Sequence, residues 1–159
     1  MSIQTVGIIG AGTMGNGIAQ ACAVSGVNVV MVDISEAAVA KGIATVTSSL
    51  DRLIKKEKMT EAEKTAALAR IHGSTQYQDL QKAQLVIEAA TENFDLKVKI
   101  LKQVDSLLAE DVVVASNTSS ISITKLAAAT TRADRARGPR AARPPAAAAG
   151  LPAPRTQLR

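Results

Sequence analysis

A G-x-G-x-x-G hexapeptide, Gly10-Ala11-Gly12-Thr13-Met14-Gly15, stands directly behind the apolar run Thr5–Ile9 and directly ahead of a segment with helical spacing. A short apolar run of this kind is how a buried parallel strand reads. Behind the glycines, Met14, Ile18, Ala21, Cys22 and Ser25 recur at helical spacing as far as Gly26, a residue suited to closing a helix. Val27–Val32 is a second β-branched run, and Asp33 ends it. Strand, glycine turn, helix and second strand within about 30 residues form a βαβ unit, the context that separates a dinucleotide cradle from glycines in an ordinary turn.

Each residue of the hexapeptide then has a physical task. Gly10 permits the tight turn, Gly12 lets backbone approach a pyrophosphate, and Gly15 lets the helix pack close to the strand. The N–H groups at the start of the helix, over Ala11, Thr13 and Met14, face the phosphates with a partial positive charge. Asp33 lies eighteen residues beyond Gly15, where a carboxylate accepts from the adenosine ribose hydroxyls and repels a 2′-phosphate. This favours NAD over NADP. The same fingerprint serves flavins, so FAD stays open at this point.

Further along, Ser35 is placed to cap a long helix running to about Lys56, and Thr60 with Glu63 forms a capping box for a helix to about Arg70. A short strand is expected near Ile71–Thr75, another at Gln84–Glu88 and a last one at Val112–Ala115. Leu96, Ile100, Val104 and Leu107 predict a helix over Asp95–Leu108, and Ile121–Ala129 reads as a short helix. Strands alternating with helices give the α/β class: a doubly wound, Rossmann-type parallel sheet of order 3-2-1-4-5.

The text changes at Ala136. Residues 136–159 hold eight Ala, five Arg, five Pro and two Gly, and that proline density supports neither a helical nor a strand period. The reading is a nucleotide-binding domain over 1–135 and a disordered tail over 136–159. The tail also explains the net charge of +5: five of the 19 basic residues lie in it with no acid, leaving 14 to match the 14 acids of the domain. A neutral domain argues against nucleic-acid binding by the folded part. Cys22 is the only cysteine, so no intrachain disulfide can form. There is no secretory leader pattern, no apolar run approaches the ~20 residues that span a bilayer, and no metal site is expected. A soluble cytoplasmic protein is the expectation.

The text Val6–Gly15, followed by NGIAQACAVSG and VVMVDIS, together with Val86–Asn93 (VIEAATEN) and Ala115–Ser120 (ASNTSS), resembles the NAD-binding domain of 3-hydroxyacyl-CoA dehydrogenases, the bacterial 3-hydroxybutyryl-CoA type in particular. The agreement runs from about Ile3 to Arg135. The resemblance implies NAD as cofactor and an acyl-CoA as substrate. It implies that Glu92 and Lys97 contact the nicotinamide end with Asn117 nearby, that Ser119 hydrogen-bonds the reacting oxygen, and that Ser49 and Lys56 meet the coenzyme A part. Read without it, Glu92 and Lys97 are a helix-entry acid and a solvated lysine, the Ser and Thr side chains after the last strand cap the next helix, with Ser120 or Ser122 able to do so while Ser119 faces the site, and Lys56 belongs to an exposed charged cluster.

The resemblance stops after Arg135, where the family continues with a strand bearing a His-Phe-Phe-Asn-Pro motif, whose histidine is its general base, and then a helical domain that makes the dimer. This sequence carries neither text; its single histidine, His72, matches no family site. Ala, Arg, Pro and Gly share GC-rich codons, so 136–159 reads as the product of a shifted frame or of a mispredicted gene end. Two consequences are expected: negligible turnover by this chain, and a bare sheet edge at Val112–Ala115 that leaves it monomeric or prone to aggregate.

Overall fold

The computed structural model describes residues 2–116, residue 128 and the backbone of 136–137. They form a six-stranded, wholly parallel sheet of order β3-β2-β1-β4-β5-β6. Its strands are β1 (Thr5–Ile9), β2 (Asn28–Val32), β3 (Ile71–Ser74), β4 (Leu85–Glu88), β5 (Val113–Ser116) and β6 (Ala136–Arg137). The helices are α1 (Thr13–Val24), α2 (Glu36–Lys55), α3 (Glu61–Ala69) and α4 (Phe94–Asp105).

Strand alternation divides the core into two layers. Val6 and Ile8 of β1 with Val29 and Met31 of β2 face α1, α2 and α3, meeting Ala19, Ala23, Val46, Leu50 and Ala67. Ile9, Val30, Val32 and Val86 face the other way, onto Ile100, Leu101 and Val104 of α4 and onto Leu80. Both faces of the central strands are covered, which is why they read as continuous apolar runs.

The helix boundaries follow from local chemistry. Ser35 accepts the Ala38 N–H at 3.1 Å to open α2. Thr60 and Glu63 form the expected reciprocal capping box of α3. Asn93 opens α4 by accepting from the Leu96 N–H at 3.0 Å. Gly26 takes a φ of +90° just past α1, the left-handed turn that favours glycine there.

Four expectations need correction. Helix α4 starts at Phe94 and ends at Asp105, not Leu108, because Ser106 is its C-cap. The last of the expected strands is displaced by one residue, to Val113–Ser116. Tyr77–Lys82 forms a 3-10 turn where the sequence predicts no element; six residues are too few to establish a period. Finally, β5 is not a bare edge and the tail is not structureless from its first residue. Ala136 and Arg137 pair in parallel with Val114 and Ala115, so among the described residues the edges of the sheet are β3 and β6. A ladder uses backbone donors and acceptors, which Ala and Arg supply whatever their β propensity. Residues 138–159 lie outside the described residues, and so does the helix expected over Ile121–Ala129, apart from Ala128, an exposed turn residue.

Gly17, exposed inside α1, offers a check on the helix: a Cβ there meets nothing within 4 Å. Gly17→Ala is expected to stabilise the domain by about 0.5–1 kcal/mol, because alanine loses less backbone entropy in a helix. The midpoint of urea unfolding reads this directly.

Candidate nucleotide site

The site begins where β1 ends. Gly10 turns the chain with a φ of +107°, and a side chain there would stand 2.8 Å from the Ala89 carbonyl oxygen. Its N–H donates to the Val32 carbonyl at 2.7 Å. The next N–H, of Ala11, donates to Asp33 Oδ2 at 2.8 Å, and the Ile34 N–H donates to Oδ1 at 2.6 Å. The carboxylate is thus fixed to the glycine turn itself. A carboxylate has about four acceptor positions, so two bonds leave capacity for ribose hydroxyls.

The other two glycines are required for opposite spatial reasons. Around Gly12, the N-cap of α1, a Cβ would meet nothing within 4 Å: the space in front of the helix is open. At Gly15 a Cβ would overlap the Gly10 carbonyl oxygen. Helix α1 therefore lies against the turn, with no side chain capping its N-terminus and no acid in its first turn. Open space before uncapped N–H groups suits a pyrophosphate, and Thr13 and Met14 are exposed beside it. The fit to NAD is thus carried by these residues' own geometry.

Two neighbours of this turn were not singled out from the sequence. Gly42, within α2, is buried where a Cβ would sit 2.7 Å from the Ala11 carbonyl oxygen, so α2 packs directly on the cradle. A glycine inside an otherwise strong helix was the available signal. Ile34, next to Asp33, is 88% exposed, the most exposed large apolar side chain among the described residues.

On the other side of β1, at the ends of β4 and β5, lies a buried polar cluster. Glu88 and Lys97 are both 0% exposed and form an ion pair. Ser116 donates to Glu88 Oε2 at 2.7 Å, and Lys97 Nζ lies 3.4 Å from Ser116 Oγ. Glu88 Oε1 accepts the Ala90 N–H at 2.8 Å. Lys97 is therefore not the solvated lysine that its sequence neighbourhood alone suggests, while Glu92 is exposed on the loop entering α4. Its position was legible: Lys97 falls on the apolar stripe with Ile100, Leu101 and Val104, and a buried charge needs a partner. Glu88, closing an apolar strand, is that partner.

Tyr77 is half-buried in the 3-10 turn, packed against the core layer that α4 covers; burial pushes its phenol up, and the charges of Asp33 and Glu88 add to the shift. Burial also raises the half-buried Cys22 thiol, which disfavours the reactive thiolate. Ser49 is half-buried on α2, and Lys56 is exposed at its C-cap, just beyond the last helical residue. His72 is exposed on β3. Asn117 and Ser119 lie outside the described residues. A 340 Å³ cavity lined by Glu36, Val39, Ala40, Ile43 and Gly73 to Thr75 lies between α2 and β3 and includes none of the residues chosen from the sequence. Among the described residues no three His, Cys, Asp or Glu side chains could hold a metal together, and no helix is long and apolar enough to cross a membrane.

Comparison with known proteins agrees with this geometry. Residues 5–148 match the sequence profile of the 3-hydroxyacyl-CoA dehydrogenase NAD binding domain. A 3-hydroxybutyryl-CoA dehydrogenase of Bradyrhizobium diazoefficiens is 47% identical over 133 residues, covering 84% of this chain and 45% of its own. One from Mycobacterium tuberculosis is 42% identical over 138 residues, covering 86% and 48%. The crystal structure of (S)-3-hydroxybutyryl-CoA dehydrogenase from Ralstonia eutropha superposes with a TM-score of 0.85 at 76% identity, covering 86% of this chain and 48% of that one. The chain thus spans about half the length of these relatives. From the glycine turn, the Asp33 carboxylate fixed to it and these matches together, the chain belongs to the 3-hydroxyacyl-CoA dehydrogenase family and carries its NAD-binding domain.

Proposed function

We propose that this chain is the cofactor-holding part of an enzyme that oxidises a 3-hydroxyacyl-CoA, such as 3-hydroxybutyryl-CoA, to the 3-oxoacyl-CoA. The observation that carries the reading is the identity with 3-hydroxybutyryl-CoA dehydrogenases, 47% over 133 residues for one relative and 76% for a solved structure that covers 86% of this chain. When bound, NAD supplies the hydride acceptor. The chain's own residues bind and orient. Gly10, Gly12 and Gly15 admit the pyrophosphate, Asp33 holds the adenosine ribose, and Ile34 offers an apolar plate to the adenine. Glu92, Lys97 and Asn117 serve the nicotinamide end. Ser119 hydrogen-bonds the reacting oxygen, a task for which a hydroxyl can donate or accept. Ser49 and Lys56 meet the coenzyme A part. A lone, half-buried thiol suits a reducing, cytoplasmic setting.

A second reading has a specific observation behind it: NAD binding without turnover. The sequence has one histidine, exposed on the outer strand β3, so this chain has no imidazole at the crevice. General-base assistance is worth about 10² to 10⁴ in rate. The purified chain is expected to give no acetoacetyl-CoA-dependent NADH oxidation. A chimera carrying its residues 1–135 in place of the matching segment of the Ralstonia eutropha enzyme is expected to give it. An inactive but folded chimera contradicts the first reading; turnover by the chain alone contradicts the second.

A further inference from the structure

The buried Glu88–Lys97–Ser116 cluster is left over from cofactor binding at the adenosine end. It sits on the opposite side of β1 from Asp33. The sheet order puts β2, with Asp33 beyond its end, on one flank of β1, and β4 and β5, with Glu88 and Ser116 at their ends, on the other. A dinucleotide whose pyrophosphate lies over the β1 turn and whose adenosine ribose reaches Asp33 must extend its second half over β4 and β5.

The cluster's connections all run to that half. One Glu88 oxygen accepts the Ala90 N–H, and residues 89 and 90 are the backbone packed against Gly10. The other takes Lys97, from the beginning of α4, and Ser116, from the last position of β5. One carboxylate therefore ties together the loop after β4, the helix that follows it and the end of the neighbouring strand. None of its bonds goes to the adenosine side. Three hydrogen-bonded partners within a buried site fix one geometry, since any slip would leave a charge unpaired.

We infer that Glu88 is a positioning residue for the nicotinamide half of NAD: it holds the floor beneath that half rigid and in register with the glycine turn. The inference rests on the NAD-binding reading and goes beyond it by assigning work to a side chain that touches no cofactor atom. Its signature is a split between two ligands. NAD uses both flanks of β1, whereas ADP-ribose lacks the nicotinamide ring.

The test is calorimetric titration of the full chain and of Glu88→Gln with NAD and with ADP-ribose. Glutamine keeps the shape and one acceptor for Ala90 but loosens the hold on Lys97. The expected result is an NAD affinity at least about fivefold lower, with ADP-ribose changed less than about twofold, as the loss of a charge-assisted bond on one flank implies. Equal losses for both ligands, or no loss for either, overturn the inference while leaving NAD binding intact. A wild-type chain that binds neither ligand overturns the NAD reading and this inference with it. Should Glu88→Gln not fold, Ser116→Ala leaves every charge paired and reads the same split. NAD is then expected to weaken about threefold with ADP-ribose unchanged, and an unchanged NAD affinity overturns the inference.

Discussion

Gly15→Ala is expected to abolish measurable NAD binding and to destabilise the domain by about 1–3 kcal/mol or more, as forced overpacking does. Its methyl would overlap the Gly10 carbonyl oxygen, and the clashing atom is backbone, so no rotamer relieves it. Either α1 moves off the sheet or the turn at Gly10 opens, and both destroy the alignment of N–H groups over the cradle. Gly12→Ala is the informative contrast. Nothing stands within 4 Å of that methyl, and a φ of −72° suits alanine. The fold is therefore expected to melt where the wild type does, while NAD binding weakens at least about tenfold, equivalent to about 1.4 kcal/mol, because the methyl takes the space a pyrophosphate needs. Thermal melting with NAD titration separates the two effects. Equal melting of Gly15→Ala and wild type would contradict the packing described for α1.

The second large effect concerns the buried pair. Glu88→Ala, which strands Lys97 in a fully buried site, is expected to cost about 3–5 kcal/mol. That is a large part of the ~5–15 kcal/mol by which domains of this size are stable. The double change Glu88→Leu with Lys97→Met removes both charges at similar volume and is expected to recover most of the loss, since the cost lies in the orphaned charge rather than in a missing attraction. Urea unfolding of the three proteins measures it. A single variant within about 1 kcal/mol of wild type, the range of an exposed pair, would contradict the burial of this pair.

What could be read from the sequence was what is local. The β1-α1-β2 unit, the Ser35 and Thr60 caps and the Gly26 turn depend on neighbours a few residues away, and each appears where its residues place it. Strand β6 could not be read, because two residues of Ala-Arg carry no β signal and gain their place from a partner more than twenty residues back, at Val114 and Ala115. The role of Gly42 also needed the third dimension, since only the fold brings it against Ala11. Lys97 is a different case. Its place on the apolar stripe of α4 was visible, but nothing in spacing alone joins it to Glu88 and Ser116, which the sheet brings together from separate strands. Asn117 and Ser119, the residues nearest the proposed chemistry, fall outside the described residues, and their roles stay with the proposal.

The most direct test of the central claim is titration of the purified 159-residue chain with NAD and with NADP, repeated on Asp33→Asn. Asp33 is bonded to the glycine turn through the Ala11 N–H, and the proposal gives its carboxylate the adenosine ribose. The account predicts that NAD binds, that NADP binds at least about tenfold more weakly because its 2′-phosphate meets that carboxylate, and that Asp33→Asn narrows the gap. A chain that binds neither nucleotide, or NADP as tightly as NAD, would contradict it.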